Sequence, residues 1–221
     1  MKKNLIVIAF VFIAFCCSSC FEIIEEIEVN ADGSGKFGMT INASQSKGNL
    51  SSLMKLDSIQ GQKIPKKEQI DPEIEKFRQK FASMEGISKV VISTDYSNFI
   101  ISLKCEFKTV ANLDKAIIDM IKSYDKKRAD LPYGNLTYDK KTLERKIPYD
   151  WSKDYGNINA QAKDVLTKAS YVGIFRMPAA IKNPTVPADL VISPSKKSAM
   201  LKYTLLQLAS GSKTANVKIS H

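Results

Sequence analysis

Side chains that could carry out acid–base or nucleophilic chemistry are few among the 221 residues of this chain. The single histidine, His221, is the final residue, and we expect it to be a frayed end because chain termini are mobile. Ser-His-Asp triads and nearly all zinc sites require histidine beside other reactive groups. The sequence therefore predicts no catalytic triad, no metal site and no cofactor.

Serine and cysteine are the remaining candidate nucleophiles. Ser52 and Lys55 have the Ser-x-x-Lys spacing that pairs a nucleophile with a base in penicillin-recognising enzymes, but the companion motifs of those enzymes are missing. Cys105 alternates with polar residues in a predicted strand, so we expect its thiol to point into the core, where a cysteine is unreactive. These patterns favour a protein that is not an enzyme and has no catalytic residues.

Another cysteine, Cys20, follows a short apolar segment near the N-terminus. Two lysines precede an unbroken apolar run, residues 5–15, which is too short for the ~20 residues of a bilayer-spanning helix. Ser18 and Ser19 stand directly before Cys20, and small residues followed by cysteine resemble the lipobox of bacterial lipoproteins. That resemblance implies that residues 1–19 are a signal peptide and that Cys20, the first mature residue, carries acyl chains such as palmitate. An ordinary secretory signal cleaved after Ser19 is the alternative.

Acylation of Cys20 would anchor the protein in a membrane of the cell envelope. Each buried methylene group contributes about 0.8 kcal/mol, so two or more acyl chains hold firmly. We expect the outer membrane, with the protein on its periplasmic or surface face. Four glutamates between residues 22 and 28 resemble a surface-export signal of some bacterial phyla, and a solvated strand face explains them equally well.

Positive charge is concentrated in the second half of the chain. The net charge is +10, and residues 101–221 hold 21 basic against 11 acidic residues. Such a surface suits anionic lipid headgroups or an acidic glycan, or it simply keeps the protein solvated. Lysine greatly outnumbers arginine, which is the usual reader of phosphate in nucleic acids, so nucleic acid is not an expected partner.

Hydrophobic periodicity predicts an α+β fold. We expect one or more antiparallel sheets with two to four helices packed on one face, and a β-rich C-terminal segment. Residues 20–150 follow the order hairpin, helix, hairpin, helix. Residues 151–221 are predicted as a β-rich segment packed on the same unit, with one strand over residues 200–208.

Two of the predicted helices have sequence features that specify more detail. Asp71 followed by Pro72 is typical of a helix start, with aspartate as the N-cap and proline in the first helical position. In the next helix, residues 112–126, apolar side chains repeat at helical spacing and Asp114 falls on the opposite, polar face. We expect the apolar stripe of this second helix to pack on the sheet.

The layout of the chain is familiar in two places. After Cys20 a strand leads to the turn sequence VNADGSG, residues 29–35, and near the end stands RMPAAIKN, residues 176–183. This layout resembles the LppM-like envelope lipoproteins and similar uncharacterised lipoproteins of Bacteroidota. The resemblance implies an α+β envelope domain that contacts lipid or glycolipid. The chain departs from those proteins in having no C-terminal transmembrane helix, and no ligand residue can be carried over.

Two functions therefore remain open at the level of sequence. The first is a non-enzymatic, membrane-anchored binding module whose ligand is a lipid, a glycolipid or another glycan. The second is a structural or protein-partner subunit of an envelope complex, which would require an exposed apolar patch. Trp151 and Tyr155 are the predicted partner or ligand contacts.

Overall fold

The fold is described by a computed structural model that covers residues 21–56, 58–59, 62–63, 66–147, 155–156 and 160–221. The predicted signal peptide, Cys20 and Trp151 lie outside these residues. Among the described residues, no helix combines the length and the apolar character needed to cross a bilayer.

A hairpin opens the fold, as the alternating sequence predicts. Strand β1 (Glu22–Val29) pairs with the antiparallel strand β2 (Gly35–Asn42), and Ile27 lies opposite Phe37. Gly33 has a φ of +87° in the connecting turn, a conformation that glycine adopts without steric cost. The turn is closed by the Asn30 N–H, which donates to the Ser34 carbonyl oxygen at 2.7 Å.

The large sheet combines strands from both halves of the sequence. It contains β1, β2, β5 (Ile87–Asp95), β6 (Ile100–Phe107), β9 (Ser170–Arg176), β11 (Val191–Ile192) and β12 (Ser198–Thr204). Their order is β11-β12-β9-β1-β2-β6-β5. All neighbours are antiparallel except β1 and β9, which run parallel at the centre of the sheet.

A smaller antiparallel sheet is formed by β7 (Leu136–Tyr138), β8 (Thr142–Arg145), β10 (Lys182–Val186) and β13 (Val217–Ser220). Its order is β10-β13-β8-β7. The turn between β7 and β8 falls at Lys140, whose φ of +72° lies in the left-handed region. A separate two-stranded ribbon joins β3 (Ser58–Ile59) to β4 (Gln62–Lys63).

Five α-helices occur in the part of the chain that the structure describes. They are α1 (Lys47–Leu53), α2 (Lys67–Ala82), α3 (Val110–Tyr124), α4 (Ala160–Lys168) and α5 (Leu205–Ala209). Short 3-10 turns lie at Ser44–Ser46 and Lys126–Arg128. The start of α3 is fixed by the Thr109 hydroxyl, which accepts the Asn112 N–H at 3.1 Å.

The main hydrophobic core joins one face of the large sheet to helices α2 and α3 and to the small sheet. Ile27 of the large sheet, Phe81 of α2, Leu113 of α3 and Leu143 and Ile219 of the small sheet are all buried in it. Residues alternating with the buried ones, such as Lys104 and Met200, leave much of the other face of the large sheet exposed, although Val172 is buried there. The predicted α+β class is confirmed.

Helix α2 begins earlier than predicted, and the assignment of Asp71 as its N-cap is wrong. The helix starts at Lys67, where the Lys66 N–H donates to the Gln69 side-chain oxygen at 3.1 Å. Pro72 therefore lies inside the helix and removes one backbone hydrogen bond. The preceding residues are good helix formers, which extend the helix by more than a turn.

The predicted strand over residues 200–208 is also wrong in its second half, because β12 ends at Thr204. The Thr204 hydroxyl accepts the Gln207 N–H at 3.1 Å, and the Gln207 side-chain oxygen accepts the Thr204 N–H at 2.9 Å. This reciprocal pair is a capping box, which starts helix α5 at Leu205. Strand β10 was not predicted from the sequence.

Candidate functional site

The residues predicted as functional are only partly placed. Cys20 and Trp151 lie outside the described residues, so their roles stay predictions. Tyr155 is half-buried, and the Lys163 ammonium lies 4.5 Å from the centre of its ring. Within the described residues, no group of His, Cys, Asp and Glu side chains is arranged to hold a metal ion.

The point at which the chain joins the sheet is well defined. The Phe21 carbonyl oxygen accepts the Ser170 N–H at 3.0 Å, and β1 begins at the next residue. Glu22 lies in register with Asn42 and Ser170, which themselves pair with Ile100 and Thr204. We call this end of the strands in the large sheet the Phe21 end. The opposite end of the strands, at the turn of residues 30–34, is the turn end.

At the Phe21 end, Glu22 is held by its neighbours. Its Oε1 accepts the Lys202 ammonium at 2.8 Å and the Ser170 hydroxyl at 3.1 Å. The Lys202 hydrogen bond keeps the pKa of Glu22 below its ordinary value. Glu22 is therefore ionised and paired at neutral pH.

A buried charged cluster that the sequence did not predict links the two sheets. Arg145 of β8 donates from Nη2 to Glu25 Oε2 of β1 at 2.6 Å and from Nη1 to the Ala215 carbonyl oxygen at 2.8 Å. The Tyr171 hydroxyl of β9 donates to the same Glu25 oxygen. We call Glu25, Arg145 and Tyr171 the inter-sheet cluster.

The inter-sheet cluster is satisfied by its own members. Glu25 is 4% exposed and Tyr171 is 6% exposed. Burial, together with the Glu25 charge, raises the pKa of Tyr171 well above its usual range, so its hydroxyl remains a donor. Every buried side-chain nitrogen and oxygen in the described ranges has a hydrogen-bond partner. This arrangement holds the sheets together and is suited to structure.

Asp114 is a second buried carboxylate, and its predicted place on the polar face of a helix is wrong. It is 5% exposed and accepts the backbone N–H groups of Gly134, Asn135 and Leu136 at 2.6, 2.9 and 2.8 Å. These groups belong to the end of the loop before β7 and to the first residue of β7, so this segment covers a face of α3 that would otherwise meet water.

The Cys105 thiol is 4% exposed, in keeping with the alternation of its strand. Burial raises the pKa of Cys105 to about 12, so the thiol is protonated at neutral pH. A thiol must lose its proton to act as a nucleophile. Cys105 is therefore an unreactive side chain of the hydrophobic core.

A polar cleft of about 210 Å³ opens on the solvent-facing side of the small sheet. The side chains that line it come from three neighbouring strands and one turn: Thr137, Tyr138, Asp139, Thr142, Glu144 and Lys218. Thr137 lies opposite Glu144, which lies opposite Lys218. Hydroxyls, a carboxylate and an ammonium thus stand side by side, a set that can donate and accept hydrogen bonds to a polar ligand.

His221 is fixed beside this cleft, so the predicted frayed end is wrong. Its ring stacks on the Tyr138 ring at a centroid distance of 6.0 Å, and its Nε2 lies 2.8 Å from the Tyr138 hydroxyl. Its backbone N–H donates to the Lys141 carbonyl oxygen at 2.9 Å. Burial, and then the nearby Lys182 charge, lower the pKa of His221 below its ordinary value. The imidazole is neutral at pH 7.

Comparison with known proteins finds a structural similarity and no sequence match. No protein-family model matches the chain, and no curated protein matches its sequence. Among solved structures, the chain is similar to the folded domain of LppM from Mycobacterium tuberculosis, determined by NMR. The TM-score is 0.43 and the identity 12%, over 90% of this chain and 87% of that domain. The resemblance to lipoproteins of Bacteroidota stays a prediction, and no residue role passes from that domain to this chain.

Proposed function

We propose that this chain is a bacterial cell-envelope lipoprotein, held in the outer membrane by acyl chains on Cys20. Its folded part acts as a binding module for a glycan or a lipid headgroup, and it is not an enzyme. The observation that supports the anchoring is the sequence, in which an apolar run and two serines stand directly before Cys20. Phe21, the next residue, leads directly into the first strand of the sheet. Acyl chains on Cys20 would hold the folded body against the membrane with almost no tether.

The anchor is tested by comparing Cys20→Ala with Cys17→Ala in cells fed an alkyne analogue of palmitate. Cys17 belongs to the predicted signal peptide, so its loss leaves the acylated residue in place. We expect the Cys17→Ala protein to take up the label and sediment with membranes, and the Cys20→Ala protein to do neither. Label and membrane association that survive in Cys20→Ala would refute the proposal.

Most of the candidate nucleophiles and buried carboxylates are engaged in structural contacts, which supports a role in binding. The Ser52 hydroxyl donates to the Gly48 carbonyl oxygen at 3.0 Å within α1, and Lys55 is exposed. Glu25 and Asp114 are saturated with donors, and the Cys105 thiol is protonated. None of these groups faces the polar cleft.

The polar cleft is the candidate ligand site that the described residues offer. Its volume is below the ~300–1,000 Å³ usual for drug-sized ligands, so it suits one sugar ring or one headgroup. Its hydroxyls and charges suit neighbouring hydroxyl groups on a glycan or a glycerol headgroup, and they do not suit acyl chains.

Binding at the cleft can be measured by titrating the protein with an N-acetylglucosamine oligosaccharide and, separately, with glycerol phosphate while following backbone amide NMR signals. We expect the amides of Thr142 and Lys218 to shift with one of the two probes. Thr137→Val should weaken that effect, whereas Thr40→Val, on the exposed face of the large sheet, should not. Signals that do not move with either probe would exclude the cleft as a site of this kind.

A protein-partner role is favoured by a different surface. Val191, Met200 and Ile174 lie in register across β11, β12 and β9 on the exposed face of the large sheet. Val191 is 60% exposed and Met200 is 38% exposed, so apolar area is available beside the sheet edge. A photo-crosslinker at Met200, compared with one at Lys104 on the same face, should capture an envelope protein only at Met200 if this alternative is correct.

A further inference from the structure

The two ends of the large sheet differ in their distance from Cys20. Phe21 lies at the Phe21 end, and Cys20 directly precedes it in the sequence, with consecutive Cα atoms only ~3.8 Å apart. Strands β1 and β2 each have eight residues, which at ~3.3 Å per residue separate the two ends of the sheet by about 25 Å. An acylated Cys20 therefore brings one end of the sheet to the bilayer and holds the other away from it.

Exposed lysines surround the Phe21 end. Lys47 donates to the Asn98 side-chain oxygen at 3.0 Å, and the Lys67 ammonium lies 5.2 Å from the centre of the Tyr96 ring. Lys55, just after α1, is exposed as well. These contacts place the start of α1 and the start of α2 beside the turn of residues 96–99, at the same end as Phe21.

Three carboxylates at this end accept hydrogen bonds from neighbouring donors, while Glu68 is exposed beside Lys67. Asp95 accepts hydrogen bonds from Ser97 and Asn98, and Asp71 accepts the Tyr96 hydroxyl. Glu22 is paired with Lys202. Lys47, Lys55 and Lys67 are exposed at the same end, so cations are available to an approaching anionic surface.

Exposed apolar side chains lie among these lysines. Ile41, one residue from the end of β2, is 43% exposed, and Leu56 is 48% exposed. The Leu56 carbonyl oxygen accepts the Lys66 ammonium at 3.4 Å, which ties its segment to the start of α2. Lysines mixed with aliphatic side chains are the composition of surfaces that settle into the headgroup layer of a membrane.

We infer that the Phe21 end of the sheet is a membrane-apposed surface. Lys47, Lys55 and Lys67 contact the phosphates of anionic lipids, while Ile41 and Leu56 enter the interface. This inference rests on the proposed acylation of Cys20 and adds an orientation to it.

The orientation also places the polar cleft. A side-chain carbon built on Gly33, in the turn of residues 30–34, would lie 3.7 Å from the Tyr138 ring, which lines the cleft. The cleft therefore lies beside the turn end, at the opposite end of the sheet from Phe21. A ligand there is a glycan or a headgroup presented from the opposite side, and not a lipid of the leaflet that holds the protein.

The orientation can be measured with fluorophores on introduced cysteines in the acylated, full-length mature protein. Gln45→Cys marks the Phe21 end and Ala31→Cys marks the turn end, and both positions are exposed. Cys105 is buried and Cys20 is blocked by its lipid, so a maleimide dye reacts only at the new cysteine. The proteins are placed in phosphatidylglycerol-containing vesicles with a nitroxide quencher on the headgroups.

We expect quenching at residue 45 to exceed quenching at residue 31 several-fold. Lys47→Glu, Lys55→Glu and Lys67→Glu together should reduce quenching at residue 45, whereas Lys36→Glu, Lys108→Glu and Lys197→Glu, at the turn end, should not. Equal quenching at both positions in vesicle-bound protein would overturn the orientation alone. Protein that carries no acyl chain and does not bind the vesicles would overturn the orientation together with the proposed function.

Discussion

At the scale of single residues, the contacts that matter most for stability are made by buried charged side chains. The side chains of Arg145 and Glu25 are only 13% and 5% exposed, and they meet at 2.6 Å. Removing two charges from water is costly, and their attraction offsets that cost only when further hydrogen bonds complete the geometry. The Tyr171 hydroxyl and the Ala215 carbonyl oxygen supply those bonds.

Arg145→Met should destabilise the protein by about 3–5 kcal/mol, because it leaves the Glu25 charge buried without a cation. Lys202→Met is the matched control, because it breaks the exposed pair with Glu22, and such pairs contribute about 0–1 kcal/mol. Urea denaturation of both variants measures the free energies of unfolding. Similar losses in the two variants would show that the inter-sheet cluster does not stabilise the fold.

His221 should make stability depend on pH near neutrality. The folded-state pKa of His221 lies below its unfolded value of ~6.5, so the unfolded chain binds more protons as the pH falls through this region. The contribution of His221 is therefore present above about pH 6.5 and is lost as the pH falls toward the folded-state pKa.

The test compares the urea midpoints of the wild type and His221→Gln between about pH 7.5 and pH 5.5. The wild type should lose more stability than the variant, which has no titrating group at this position. Parallel curves would contradict the assigned environment of His221.

Sequence reasoning succeeded at this scale where the pattern decides the environment, as for Cys105. It failed for Glu25 and Asp114, because charged residues are assigned to water by default. For Glu25 a signal was present, since it is in phase with Ile23, Ile27 and Val29 on the inward face of β1. For Asp114 the hydrogen-bond donors come from a segment about 20 residues later in the chain. The helical spacing around Asp114 could not predict that this segment would cover it.

At the scale of elements, local signals predicted most helices and strands but not their ends. Helix α3 follows strong periodicity, and its position was predicted to within a few residues. The end of β12 depended on a Thr-x-x-Gln capping box that competes with a continuing apolar run. The bulged strand β10 exists because β13 pairs with it, which no local pattern reports.

The opening hairpin should be sensitive to a single added methyl group. A Cβ on Gly35 would lie 1.9 Å from the Glu28 carbonyl oxygen and 2.5 Å from the Phe107 ring, so the backbone would have to move. We expect Gly35→Ala to cost about 1–3 kcal/mol or more. Gly48→Ala in α1 meets nothing within 4 Å and should stabilise the protein by about 0.5–1 kcal/mol. Thermal unfolding of both variants measures the difference, and two changes of the same sign would be inconsistent with this geometry.

At the scale of the whole molecule, the parallel pairing of β1 with β9 joins the first strand to residues almost 150 positions later. The inter-sheet cluster also joins residues that are far apart in sequence, since Glu25 contacts Arg145 and Tyr171. We therefore expect residues 20–150 and 151–221 to unfold as one cooperative unit. Native-state hydrogen exchange should give the amides of β1 and β9 the same free energy of opening. Earlier opening of β9 and β12 would show that the C-terminal segment is an independent unit.

The proposed acylation of Cys20 joins this body to the membrane. It is tested most directly by mass spectrometry of the N-terminal peptide of the mature protein, extracted from membranes of cells that express the full chain. The account predicts a peptide that begins at Cys20 and carries a diacylglyceryl group, with or without a third acyl chain. A peptide that begins at an unmodified Cys20, or one that retains residues 1–19, would contradict it.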